Sequence, residues 1–229
     1  YGGIDAGGNV VVTNYGLITA DGSDGVRGQG TTTVVNSGTI SAYYDGVLAF
    51  GQGTVTNSGS IGAYIYANTS GNGSTLVTNF GRVHGYLEAI AGTEGDATVI
   101  NTGSIGSYVS ATVNGNGSVA VNNAGSIGEG LYAAAFGSGS VTVSNSGSIG
   151  EDLTATSNGN GSVNVTNSGR VARYVSAVNY GDGTTKVVNS GSIWQGVQIS
   201  TQGVGTSQLV NSGFITNTAG PLAVDMSGS

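Results

Sequence analysis

The sequence predicts an all-β fold, a right-handed parallel β-helix (β-solenoid) of about ten rungs of 22 residues each. Three observations predict it: a motif returning at fixed spacing, a composition rich in glycine and β-branched residues, and period-two alternation around each copy of the motif.

The motif is Asn-x-Gly-x-Ile/Val, with its asparagine at Asn14, Asn36, Asn57, Asn79, Asn101, Asn123, Asn145, Asn167, Asn189 and Asn211. Neighbouring asparagines are 22 residues apart, except Asn36 and Asn57, which are 21 apart. The second residue after each is glycine, from Gly16 to Gly213, and the fourth is Ile or Val, from Ile18 to Ile215. Two residues before each stands Val or Leu, from Val12 to Leu209. Self-similarity at a fixed period of this length is the signature of a stacked-repeat architecture.

Composition separates a folded repeat from a disordered one. The 229 residues include 44 glycines, one proline and no cysteine, yet 38 % are apolar and only 7 % charged, enough Val, Ile and Ala for a core and too little charge to hold the chain open. Glycine disfavours helix by about 1 kcal/mol per residue relative to alanine, so helix should be nearly absent. The net charge of −7 opposes nucleic-acid phosphates and offers an anionic bilayer nothing to attract. Without cysteine there is neither a disulfide framework nor a thiolate metal site. No apolar run approaches the roughly 20 residues of a membrane helix. The chain opens at Tyr1 without a methionine or signal peptide and reads as a segment of something longer.

Alternation gives the shape of a rung. Val141 and Val143 alternate before Asn145, as do Leu153 and Ala155 after it, so one side of each strand faces inward. Asn145–Ile149 and Asn158–Gly161 lie between strands, where Asn and Gly are expected to supply positive-φ corners. Each repeat is thus two or three short strands joined by turns. Repeats in register stack like on like, about 4.8 Å apart, so ten rungs span roughly 48 Å. Inward asparagines would then hydrogen-bond from rung to rung as an amide ladder, which makes them scaffold rather than a site.

The Asn-Ser-Gly-Ser-Ile units at 57–61, 145–149 and 189–193, with the Asn-Gly-Asn-Gly-Ser turns at 114–118 and 158–162, resemble those of bacterial autotransporter passenger domains and related adhesins. The resemblance runs over essentially the whole chain. It implies a right-handed β-helix exported across the outer membrane to the cell surface, and it marks a scaffold shared by proteins with different tasks.

Function is then sought where repeats depart from the template. The seventh position after the asparagine reads Tyr43, Tyr64, Tyr86 and Tyr108, followed by Gly130, Asp152 and Tyr174. The ninth adds Tyr66, Glu88 and Tyr132 on the same outward side, because Ile65, Leu87, Val109 and Leu131 between them point into the core. Four consecutive rungs are expected to display a tyrosine ladder. Stacked aromatics stabilise neighbouring rungs by about 0.5–1.5 kcal/mol per pair beyond burial, and exposed tyrosines also suit sugar rings or a protein partner. The candidate ligand-binding residues are therefore Tyr43, Tyr64, Tyr66, Tyr86, Tyr108 and Tyr132.

Other departures are weaker. Glu129, Glu151 and Arg173 occupy the sixth column with Asp152 beside them, a solvated charge cluster in which Arg173 faces Glu151. Carboxylates one rung apart also match the spacing of retaining glycosidases, but rung spacing alone produces that match. His84, the one histidine, sits with Phe80 and Arg82 in the fourth repeat, and Trp194 takes its place five rungs later. A single histidine gives a nucleophilic triad nothing to build on. Gly181-Asp182-Gly183 lacks the nine-residue spacing of calcium repeats, so no metal, cofactor or catalytic residue is assigned. The outward threonines Thr54, Thr56, Thr98, Thr142 and Thr166 are interrupted by Leu76, Ile100, Ala120, Lys186 and Gln208, too irregular for an ice lattice.

The first two repeats carry a longer segment after Ile18 and Ile40 before Val26 and Val47, recovered in the next turn. This predicts a register change near residue 57 within one domain, 1–229. From Thr218 onward, with Pro221 and Met226, the pattern fades, and an open rung edge at either end is expected to be covered by more chain. The expected function is a non-enzymatic surface module, an adhesin or stalk. Its partners are a host or neighbouring-cell surface glycan or protein, or another copy of itself. The alternative is a polysaccharide-acting β-helix enzyme, for which the sequence offers only Glu129, Glu151, Asp152 and Arg173.

Overall fold

Every rung passes through three parallel sheets, which the computed structural model describes over residues 3–217 and 224–228. Sheet I has eleven strands, from Ile4–Ala6 to Val224–Gly228. Sheet II has ten, from Val10–Asn14 to Ser207–Asn211, and sheet III ten, from Leu17–Ala20 to Phe214–Ile215. Each strand between the ends pairs with its equivalents one rung before and one rung after, so the fold is an all-β parallel solenoid of about ten turns. No helix occurs among the described residues.

The alternation in sequence becomes the wall of the core. In Val141–Asn145, Val141, Val143 and Asn145 are buried and Thr142 is exposed. Opposite lie Leu153 and Ala155 of sheet I, and Ile149 of sheet III closes the triangle. Because residues pair in register, as Val121 with Val143 and Ile127 with Ile149, core side chains rest on the same or a similar apolar residue of the next rung, as Leu87 on Val109. Burying each Ile or Val contributes about 1.5–3 kcal/mol, which outweighs the entropy of so glycine-rich a chain only because the column repeats.

The asparagines form the expected ladder. Each Nδ2 donates to the Oδ1 of the next, at 2.8 Å from Asn79 to Asn101 and 2.7 Å from Asn101 to Asn123. The chain of bonds runs unbroken from Asn14 to Asn211. The same amide of Asn79 also reaches the Gly81 carbonyl at 3.2 Å, fixing the corner between sheets II and III. A buried primary amide with its donors and acceptor satisfied at every rung costs nothing in desolvation left unpaired.

The reason for glycine at the corners differs from the one expected. Positive φ occurs at Gly22, Gly71 and Gly196 and at none of the motif glycines. A Cβ on Gly103 would instead lie 2.0 Å from the Gly81 carbonyl oxygen of the rung below. Glycine is required there because corners stack backbone on backbone.

The long segments of the first two rungs become four-residue sheet III strands, Leu17–Ala20 and Thr39–Ala42, where later rungs have two residues, such as Ser60–Ile61. The register shift lies in sheet I, where Tyr64 pairs with Asp45 but Ile65 pairs with Val47. Gly46 is the extra residue of a β-bulge, and a Cβ on it would meet Ile61 Cγ2 at 2.3 Å. The core columns pass through this shift without interruption. At the other end, Val224–Gly228 adds a strand to sheet I, with Val224 opposite Val197 and Met226 opposite Ile199. The strand register thus outlasts the fading motif. Thr218 and Pro221 lie outside the described residues.

Candidate functional site

The tyrosines stand at the leading edge of sheet I. Tyr64 opens the strand Tyr64–Asn68, and Tyr86 and Tyr108 immediately precede Leu87–Ala91 and Val109–Val113. Ile65, Leu87 and Val109 beside them are fully buried, so the tyrosines project outward. Their rings stack with centroids 4.1 Å apart for Tyr64–Tyr86 and 5.0 Å for Tyr86–Tyr108, within 11° of parallel. Gly85 makes room for this, since a Cβ there would strike Tyr64 Cδ1 at 2.1 Å.

Tyr43 does not belong to the stack. The bulge at Gly46 places Asp45, not Tyr43, opposite Tyr64, and Tyr43 packs edge-on against Tyr44 at 4.9 Å. The ladder therefore spans three rungs rather than four. Counting forward from Asn36 misaligns the second rung, because both Asp45 and Gly46 stand before the core residue Val47 where Tyr64 alone stands before Ile65.

In the next outward column Tyr66, Glu88, Ser110 and Tyr132 lie side by side on successive strands. The Tyr108 hydroxyl donates to Glu88 Oε1 at 2.6 Å, and Asn68 Nδ2 donates to the Tyr66 hydroxyl at 3.0 Å. Phe50 meets Tyr66 edge-on at 6.4 Å and carries the Arg27 guanidinium over its ring at 5.7 Å, extending the aromatic face to a residue that column counting missed.

Burial sets the electrostatics of this face. It pushes the Tyr86 phenol up to about 12, with Asp45 and Glu88 adding to the shift. Tyr108 is raised by burial and by its bond to Glu88, and Tyr132 by burial and by Tyr180. All three stay protonated at neutral pH and remain hydrogen-bond donors. Asp45 is half-buried, and burial, then Asp24 and Glu88, raise its carboxyl to about 6.

The charge cluster adjoins the upper end of the ladder. Arg173 Nη1 lies 3.6 Å from Glu151 Oε1, the pairing expected, with both side chains exposed. Ser107 Oγ donates to Glu129 Oε2 at 2.7 Å, and the Tyr174 amide donates to Asp152 Oδ1 at 3.0 Å. Between this cluster and Tyr108 an open cleft of about 250 Å³ surrounds Gly130. His84 is exposed beside a separate shallow cleft with Tyr43 and Tyr64. Trp194 packs edge-on against Phe214 at 5.7 Å under the Arg170 guanidinium, a surface cluster on sheet III. Among the described residues no three His, Asp or Glu side chains converge as metal ligands would.

No family model, no curated protein and no solved structure matches the chain.

Proposed function

We propose that this chain is a non-enzymatic module of a bacterial cell-surface protein of the autotransporter-passenger kind, acting as an adhesin whose contact face is the tyrosine edge of sheet I. The Tyr64–Tyr86–Tyr108 stack carries the reading. A rigid solenoid holds three aromatic rings in register, so the edge presents phenol hydroxyls and apolar area without an ordering cost on binding. Scaffold needs alone do not select tyrosine, because later rungs place Gly130 and Asp152 in the same column and stack equally well. The partner is a glycan or protein on a host or neighbouring cell.

The test is adhesion of beads coated with the purified chain to cells, beside a Tyr64→Ser/Tyr86→Ser/Tyr108→Ser variant whose β-rich circular dichroism is intact. Adhesion lost in the variant supports the reading; equal adhesion by both removes it.

One observation favours a second reading, a polysaccharide-acting enzyme. Asp45, with its carboxyl raised to about 6, and Glu88, which accepts from Tyr108, lie along the same tyrosine edge. General acids are tuned in that direction. Release of reducing ends or unsaturated sugars from a polysaccharide panel, abolished in Asp45→Asn, would put this reading first.

A further inference from the structure

The tyrosine ladder ends in a notch. Tyr86 covers one face of the Tyr108 ring, but the next position in the column is Gly130, which has no side chain to cover the other. The residue one rung further is Asp152, so the gap from the Tyr108 ring to the Asp152 rung is about two rungs, roughly 9.6 Å. A guest ring midway would lie about 4.8 Å from Tyr108, the same kind of spacing as the 4.1 and 5.0 Å between the chain's own rings. The cleft of about 250 Å³ is bounded by Tyr108, Tyr132, Glu129, Glu151 and Asp152. That is below the roughly 300–1,000 Å³ of pockets holding whole drug-sized molecules and suits a single ring.

Charge then selects the ring. Glu129, Glu151 and Asp152 border the notch and leave its lining negative. The chain's own Arg173 already faces Glu151. Glu129 and Asp152 each have one oxygen engaged, by Ser107 and by the Tyr174 amide, and one left over. Two separate single acceptors suit a compact ammonium rather than the two-pronged fork of a guanidinium. An ammonium near the Tyr108 face is also attracted by the ring itself.

We propose that the Gly130 notch is a subsite for a cationic amino-sugar residue of a polysaccharide, its pyranose ring against the free face of Tyr108 and its ammonium against Glu129 and Asp152. The inference rests on the adhesive reading of the tyrosine face and names its ligand class. The notch is open to solvent on the sheet surface, so a polymer can continue past it on either side.

The experiment is isothermal titration of the purified chain with a fully deacetylated glucosamine hexamer, its N-acetylated counterpart, and a cellulose hexamer. The deacetylated hexamer should bind roughly tenfold more tightly than the other two. Gly130→Tyr should extend the ladder and fill the notch; its Cβ meets the Asp152 carbonyl oxygen at 3.3 Å, a tight contact that asks the neighbouring rung to give by a few tenths of an ångström. Its charge is unchanged, so general adsorption of a polycation to an acidic protein would survive in it while notch binding is lost. Tyr108→Ser removes the same ring face by another route and gives the same reading should Gly130→Tyr fold poorly. Glu129→Gln/Asp152→Asn should abolish the preference for the free amine. Equal affinity for all three hexamers, unchanged binding in both notch variants, or deca-arginine binding that is likewise lost in the notch variants would overturn the proposal. Bead adhesion that depends on the ladder but shows no amine preference would overturn this subsite while leaving the adhesive reading standing.

Discussion

Asn101 donates its Nδ2 to Asn123 Oδ1 at 2.7 Å while its own Oδ1 accepts from Asn79 at 2.8 Å, so one buried side chain ties three rungs together. Asn101→Ala should leave the Asn79 donor and the Asn123 acceptor short of a partner. Each orphaned group costs about 1–3 kcal/mol, and urea denaturation should register a loss of roughly 2–4 kcal/mol. A loss under about 0.5 kcal/mol would mean that water replaces the ladder.

The motif glycines should differ in sensitivity by position. Gly103→Ala places a methyl against the Gly81 carbonyl and should cost about 1–3 kcal/mol through overpacking. Gly16 occupies the same motif position in the first rung, with nothing within 4 Å of an added Cβ, and Gly16→Ala should be nearly neutral in this chain. Thermal melts of the two variants compare them directly; equal destabilisation would point to backbone conformation instead of stacking.

Ile149→Asp introduces a carboxylate into a fully buried column and should destabilise by about 4 kcal/mol or more, or prevent folding. Thr142→Asp, on the outer face of sheet II a few residues earlier, should change stability by no more than about 0.5 kcal/mol. Circular dichroism of both should be β-rich wherever the chain folds.

Asp45 makes stability depend on pH. Its folded carboxyl titrates near 6 against the ordinary solvated value of 3.8 that holds in the unfolded chain, so between these the folded state binds more protons than the unfolded. Stability from this group is therefore greatest below about pH 4 and falls as pH rises to 6. Solvent at a half-buried carboxyl screens much of the effect, leaving about 1 kcal/mol. Asp45→Asn should flatten that part of the profile; an unchanged slope would place the titration elsewhere.

The rungs were legible in the sequence because stacking forces identity. Val143 must fit on Val121, and Asn145 must bond to Asn123, so core and ladder positions repeat and can be counted. Outward positions carry no such constraint, and there counting failed where segment length changes. Tyr43 sits seven residues after its asparagine as Tyr64 does, but the longer segment after Ile40 and the bulge at Gly46 carry it out of line. The role of corner glycines was hidden for a different reason. Close approach between Gly103 and Gly81 depends on two rungs at once, whereas a turn rule considers one. Gly130 was visible as a gap in the tyrosine column, but only the stacked rings show that the gap exposes a ring face.

The most direct measurement is a glycan array probed with the purified chain and with the Tyr64→Ser/Tyr86→Ser/Tyr108→Ser variant of matched fold. The chain should bind a defined set of glycans, amino sugars among them, and the variant should lose that binding. Retention of the same glycan profile by the variant would contradict this and move the contact face off the tyrosine edge of sheet I.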